Sequence, residues 1–141
     1  MSNEKSFFAM FDVVHTYTRK QAIADGVLVD MTQDKFGELL RAAGFNRHTA
    51  MTATGFAKVI GGEEQMPEGQ DALGRWWDVL MVMRAAIKER IHRDPAKRVD
   101  HVPFQVKVWN GQNYETVSLY VNCGPGDNAE PVLTIMLEGE D

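Results

Sequence analysis

Cysteine is almost absent from these 141 residues, and Cys123 stands alone. One thiol excludes an internal disulfide framework and cannot by itself build a structural zinc site, so a reducing compartment is the natural setting. Long uninterrupted apolar runs are missing too. The most apolar stretch, WWDVLMVM from Trp76 to Met83, carries Asp78 and is flanked by Arg75, Arg84, Lys88, Glu89 and Arg90, which excludes a membrane-spanning helix. The opening MSNEKSFFAMF has no basic region, too short an apolar run for a secretion signal and no small-residue cleavage pattern. The expected location is therefore cytoplasmic. The four histidines, His15, His48, His92 and His101, show no HxxxH, HExxH or Cys/His spacing, so no metal site is expected. No GxSxG, Walker-type loop or GxGxxG opens a helix after a strand. No catalytic residue and no cofactor is assigned from motifs. Positive charge is in deficit as well: a net charge of −5 argues against a general nucleic-acid coat.

What remains is the make-up of an ordinary globular chain, 44% apolar and 25% charged. Its length suits a single domain over residues 1–141, large enough to bury about two-thirds of the unfolded surface. The organising stretch is Asp71 to His92. At helical spacing, Leu73, Trp76, Trp77, Leu80, Ile87 and Ile91 share a stripe that Val79, Met81, Val82 and Met83 widen, so a buried spine covered on most sides is expected. Asp71 is a plausible N-cap, and Asp94-Pro95 stops the helix because a residue before proline is driven from the α region.

Before that helix the signals are shorter. Thr18 followed by Gln21 has capping-box spacing, Gly26 suits a left-handed C-terminal cap, and a helix from Arg19 to Asp25 is predicted. Val27-Leu28-Val29 reads as a short buried strand available to the edge of a sheet. Thr32 looks like a second N-cap, with Phe36, Leu39, Leu40 and Ala43 at helical spacing before Gly44. Thr52 starts a third, weaker helix ended by Gly61-Gly62. After Lys97 the period becomes two: Val102, Phe104, Val106 and Val108 form one strand, Val117, Leu119, Val121 and Cys123 a second, and PVLTIML from Pro131 to Leu137 a third. The expected fold is α+β, a three-stranded antiparallel C-terminal meander packed on a long central helix, with two or three short N-terminal helices.

Charge is segregated along the chain. Arg90, Arg93, Lys97 and Arg98 give the 84–98 segment a basic end that could contact nucleic-acid phosphates, although cations also suit a helix C-terminus through its dipole. Glu63, Glu64, Glu68 and Asp71 form an acidic loop suited to a protein partner. Arg84, read as lying on the apolar stripe, needs a carboxylate such as Asp25, Asp30 or Glu138. Gly124-Pro125-Gly126-Asp127 reads as a hairpin connection rather than a phosphate cradle, since proline removes a backbone donor. His15 ahead of TYTRKQAIADGVL is similar to the opening of ADP-ribosyltransferases, with Glu115, Glu130 or Glu138 the acids available; an ordinary capped helix explains the same residues.

Four stretches, YTRKQAIADGVLVD from Tyr17 to Asp30, AAGF from Ala42 to Phe45, GRWWDVLMVMR from Gly74 to Arg84 and CGPGDNAEPVLTIML from Cys123 to Leu137, together resemble a family of small bacterial proteins carried by plasmids, phages and other mobile elements, a domain of unknown function. The resemblance runs from about Val14 to the C-terminus and departs between Asn46 and Gln70. It brings no catalytic residues. It implies a context in which small proteins bind and disable host defence or nucleic-acid machinery. The leading expectation is a non-catalytic binding or inhibitor protein with a host protein partner and no membrane association. A nucleic-acid-contacting accessory protein and an ADP-ribosyltransferase-like enzyme are the alternatives.

Overall fold

The computed structural model describes residues 17–61, 66–97 and 99–140. In chain order the elements are α1 (Arg19–Ala24), β1 (Leu28–Asp30), α2 (Asp34–Ala42), β2 (His48–Thr52), α3 (Ala53–Val59), α4 (Ala72–Arg93), β3 (His101–Trp109), β4 (Tyr114–Pro125) and β5 (Pro131–Leu137). The fold is α+β. The C-terminal strands do run antiparallel as neighbours, but they are part of a larger mixed sheet of five strands in the order β1-β2-β5-β4-β3, in which β2 lies parallel to β5.

Register explains the core. Val29, Met51, Ile135, Val121 and Val102 stand abreast across all five strands. Because side chains alternate between the faces of a strand, this row points to one side. There it meets α4, whose Trp76, Val79, Leu80 and Met83 are buried. Trp76 is fully enclosed: its indole donates to the Phe36 carbonyl at 3.0 Å, and its ring meets Phe36 edge-on at 6.5 Å. That contact fastens α2 to α4.

The capping signals act where the sequence puts them. Thr18 and Gln21 close a reciprocal capping box on α1, Thr52 accepts from Gly55 N–H at 3.1 Å, and Asp71 accepts from Gly74 N–H at 2.5 Å. Thr32 is different. Its hydroxyl accepts from Thr49 N–H at 2.9 Å and lies 3.2 Å from the Thr49 carbonyl, so it continues the β1–β2 ladder, and α2 starts from Gln33 with no side-chain cap. Gly37 lets α2 sit against this turn, because a Cβ there would lie 2.0 Å from the Thr32 carbonyl oxygen.

One expectation is corrected, and one element is new. First, α4 is not a spine covered on most sides: Asp78, Val82, Arg84, Lys88, Glu89 and Ile91 are exposed, and the helix is one layer over one sheet face. Its buried line runs from Trp76 through Leu80 and Met83 to Arg90, so it shares Trp76 and Leu80 with the expected stripe and is turned from it toward Val79 and Met83. Arg84 consequently points to solvent, and its expected carboxylates are engaged elsewhere. Asp25 accepts from Tyr17, Asp30 pairs with His48, and Glu138 lies 3.7 Å from His101. Second, His48–Thr52 forms a strand that the sequence did not signal. Thr49, Ala50 and Met51 are all fully buried, so no period-two alternation marks it.

Candidate functional site: a polar clamp across the sheet

On the face opposite α4, register brings Asp30, Ala50 and Thr134 abreast, with His48 two residues from Ala50. Helix α1 lies here, and Arg19 from its first turn reaches across the strands. Its Nε donates to His48 Nδ1 at 3.0 Å, one terminal nitrogen to Thr134 Oγ1 at 2.6 Å and the other to the Leu133 carbonyl at 2.7 Å. On the far side of the ring, His48 Nε2 lies 3.2 Å from Asp30 Oδ1. Arginine offers only donors, so His48 Nδ1 must be the accepting nitrogen. Nε2 therefore carries the proton that it directs at Asp30.

Backbone groups complete the clamp. Asp127, in the turn between β4 and β5, accepts from the Arg19 and Lys20 amides at 2.8 and 3.1 Å, so a loop carboxylate satisfies two orphan donors of α1. Asp30 accepts from Thr32 N–H at 2.9 Å and from the Gln33 amide at 3.3 Å. The electrostatics follow. Burial pulls the Arg19 guanidinium below its usual range while Asp30, Asp127 and Glu130 act in the opposite sense. Burial raises the Asp30 carboxyl, but the Thr32 amide, His48 and Gln33 outweigh it and hold it below the ordinary carboxylate range. The Arg19 and Lys20 amides lower Asp127 in the same way. Around the clamp opens a concavity of about 370 Å³, with Lys20, Ile23, Gln33, Asn128 and Glu130 on its walls.

Chemically this arrangement holds parts together. A general acid or base needs a ring nitrogen that can face a substrate, and both nitrogens of His48 face protein groups. Among the described residues no group of three His, Cys, Asp or Glu side chains could hold a metal ion. Sequence reasoning weighed His48 only as a metal ligand and Asp127 only as part of a turn, and did not bring Arg19, His48, Asp127 and Thr134 together, because the Arg19–Asp127 and Arg19–Thr134 contacts span 108 and 115 residues. The one available signal was motif coincidence. YTRKQ and CGPGDNAE, both within the stretches that carry the resemblance, meet at the Arg19–Asp127 bond.

The residues singled out from sequence lie elsewhere and are not brought together. Glu63, Glu64, Arg98 and His15 fall outside the described residues. Glu68 is exposed, and the Asp71 carboxylate is occupied in capping α4. Arg93 and Lys97 are exposed, and Arg93 lies 3.6 Å from Glu89. Arg90 turns inward, only 9% exposed, with a terminal nitrogen 3.4 Å from the Asp94 carbonyl, which takes it out of the basic surface. Gly124 and Pro125 end β4, and the segment is a turn between strands, as expected.

Fold and site together define a small α+β protein whose helix-layered mixed sheet is locked on its second face by an Arg-His-Asp clamp. The chain belongs to the family of unknown function DUF6573, which matches residues 3–141. No curated protein and no solved structure matches it. No helix among the described residues is long and apolar enough to cross a membrane.

Proposed function

We propose that this is a non-catalytic binding or inhibitor protein that works through a rigid surface centred on the α1 cleft, in the service of a mobile genetic element and against a host protein. The observation that carries the reading is the double engagement of His48, between Arg19 and Asp30. It makes the cleft's most reactive-looking group a fastening. Around it, Lys20, Ile23 and Asn128 present a charged, an apolar and an amide group on a preorganised wall, which lowers the ordering cost of association. The mobile-element and host-defence context comes from the resemblance alone.

Affinity capture with the full chain tests the reading. A stoichiometric partner retained by wild type and lost with Lys20→Glu and Ile23→Arg, both with an unchanged unfolding midpoint, is the expected result. Capture lost instead on neutralising Glu63, Glu64 and Glu68 moves the surface to the acidic loop. Turnover of a substrate that disappears with His48→Ala overturns the non-catalytic reading.

A second reading has one observation in its favour. Lys88, Arg93 and Lys97 remain exposed at the C-terminal end of α4. A nucleic-acid contact there predicts binding that weakens steeply with salt and whose salt dependence shrinks with Arg93→Gln and Lys97→Gln. No binding at low salt removes it.

A further inference from the structure

On the α4 side of the sheet lies a second concavity of about 370 Å³, at the C-terminal half of the helix, and we propose that it binds a small monocarboxylate with an apolar tail. Its walls are hydrocarbon and thiol: Phe45 from the turn after α2, Ile87 and Ile91 from α4, Val99, and Cys123 and Leu133 from the ends of β4 and β5. The volume is at the small end of those that take organic ligands. Ile91 leaves 46% of its surface exposed here, one of the few large apolar side chains of the described residues to do so.

The charge at the mouth selects the ligand. Arg47 lines both this cavity and the smaller concavity that adjoins it at Val99 and Cys123. Arg19 donates to three acceptors and Arg75 to the carbonyls of Ile60 and Trp109, and Arg93 has Glu89. The Arg47 guanidinium makes no hydrogen bond or ion pair with the described residues, so its donors are available to a ligand. Asn46 adds an amide beside it, and Arg84 and Lys88 lie close to Ile87 and Ile91 in the chain and face solvent. One carboxylate is near: Asp100 acts on the Cys123 thiol in opposition to Arg47, but it is not on the cavity wall. Cys123 is half-buried on this wall, and burial raises its thiol above the usual range. An apolar floor under a cationic mouth matches an apolar chain ending in an anion.

Because Cys123 is the sole thiol, its alkylation by N-ethylmaleimide, read by intact mass on the full chain, reports occupancy at this cavity and the smaller concavity that shares Cys123 with it. The probes are octanoate and its uncharged counterpart octanamide, with the unfolding midpoint as an independent readout. Octanoate is expected to slow alkylation by at least about threefold and to raise the midpoint, with octanamide weaker in both. Arg47→Gln, an exposed position, should leave the midpoint of the unliganded protein unchanged and reduce the octanoate effect to the octanamide level. Octanoate leaving both readouts unmoved overturns the proposal. Octanamide equalling octanoate, or undiminished protection in Arg47→Gln, removes the anion and so overturns it too. Should the thiol resist alkylation without ligand, the midpoint decides by itself. Partner capture through Lys20 and Ile23 can fail without touching this result, since the two cavities lie on opposite faces of the sheet.

Discussion

Two arginines on either side of one strand show how the same side chain serves opposite ends. Arg19 reaches the Leu133 carbonyl on one face of the sheet, while the Leu133 side chain forms part of the cavity overlooked by Arg47 on the other. Arg19 is half-buried and donates to His48, Thr134 and the Leu133 carbonyl, whereas Arg47 is exposed and donates to none of the described residues. A cation enclosed by acceptors is a structural part, because removing it strands those acceptors. An exposed cation with no protein acceptor beside an apolar cavity keeps its donors free for a ligand to take from water.

The contrast can be broken from the Arg19 side first. Arg19→Leu strands the Leu133 carbonyl, Thr134 and His48, and is expected to cost about 2–4 kcal/mol of unfolding free energy in denaturant titration. Arg47→Leu is expected to change it by less than about 0.5 kcal/mol. Equal costs would show that the two arginines do not differ in role.

Gly37→Ala probes the frame that delivers Asp30 to the clamp. Its Cβ would collide with the Thr32 carbonyl, so a loss of about 1–3 kcal/mol is expected, together with a rise in the hydrogen exchange of Thr49 N–H. A variant as stable as wild type would mean that α2 is free to shift.

Acid sharpens the comparison next. Asp30 and Asp127 are held below the ordinary carboxylate range in the folded protein, so the unfolded chain binds their protons more tightly. Their stabilisation is complete above the unfolded value of about 4 and disappears as pH falls through the lower folded values. Asp127→Asn should flatten the fall in midpoint below about pH 4, whereas Arg47→Gln should leave it unchanged. A parallel fall in Asp127→Asn would remove Asp127 from the clamp. The smallest effect belongs to the exposed Arg93–Glu89 pair, where Glu89→Ala is expected to shift stability by less than about 0.5 kcal/mol at ordinary salt.

How much of this was legible beforehand depends on the reach of each interaction. The clamp was illegible because its partners are distant in the chain. The buried cation of α4 was misplaced because a helical wheel ranks faces by composition. The face that turns inward is chosen by what lies beneath it, and packing on the sheet put Arg90 inside and Arg84 outside. The apolar cavity was illegible for the same reason, since its walls come from α4, the turn after α2 and two strands.

By itself the sequence determined the helix starts at Thr18, Thr52 and Asp71, the end of α4 at Asp94-Pro95 and the period-two strands from His101 onward. Each of these is satisfied within a few residues, so local chemistry is enough to read it. Only the tertiary structure decided that HTAMT becomes a strand parallel to β5, that Thr32 bonds to Thr49 rather than capping α2, and that Arg19 finds His48 and Thr134. Those choices compare partners far apart in the chain, and their free energy exists only once the sheet has brought the partners together.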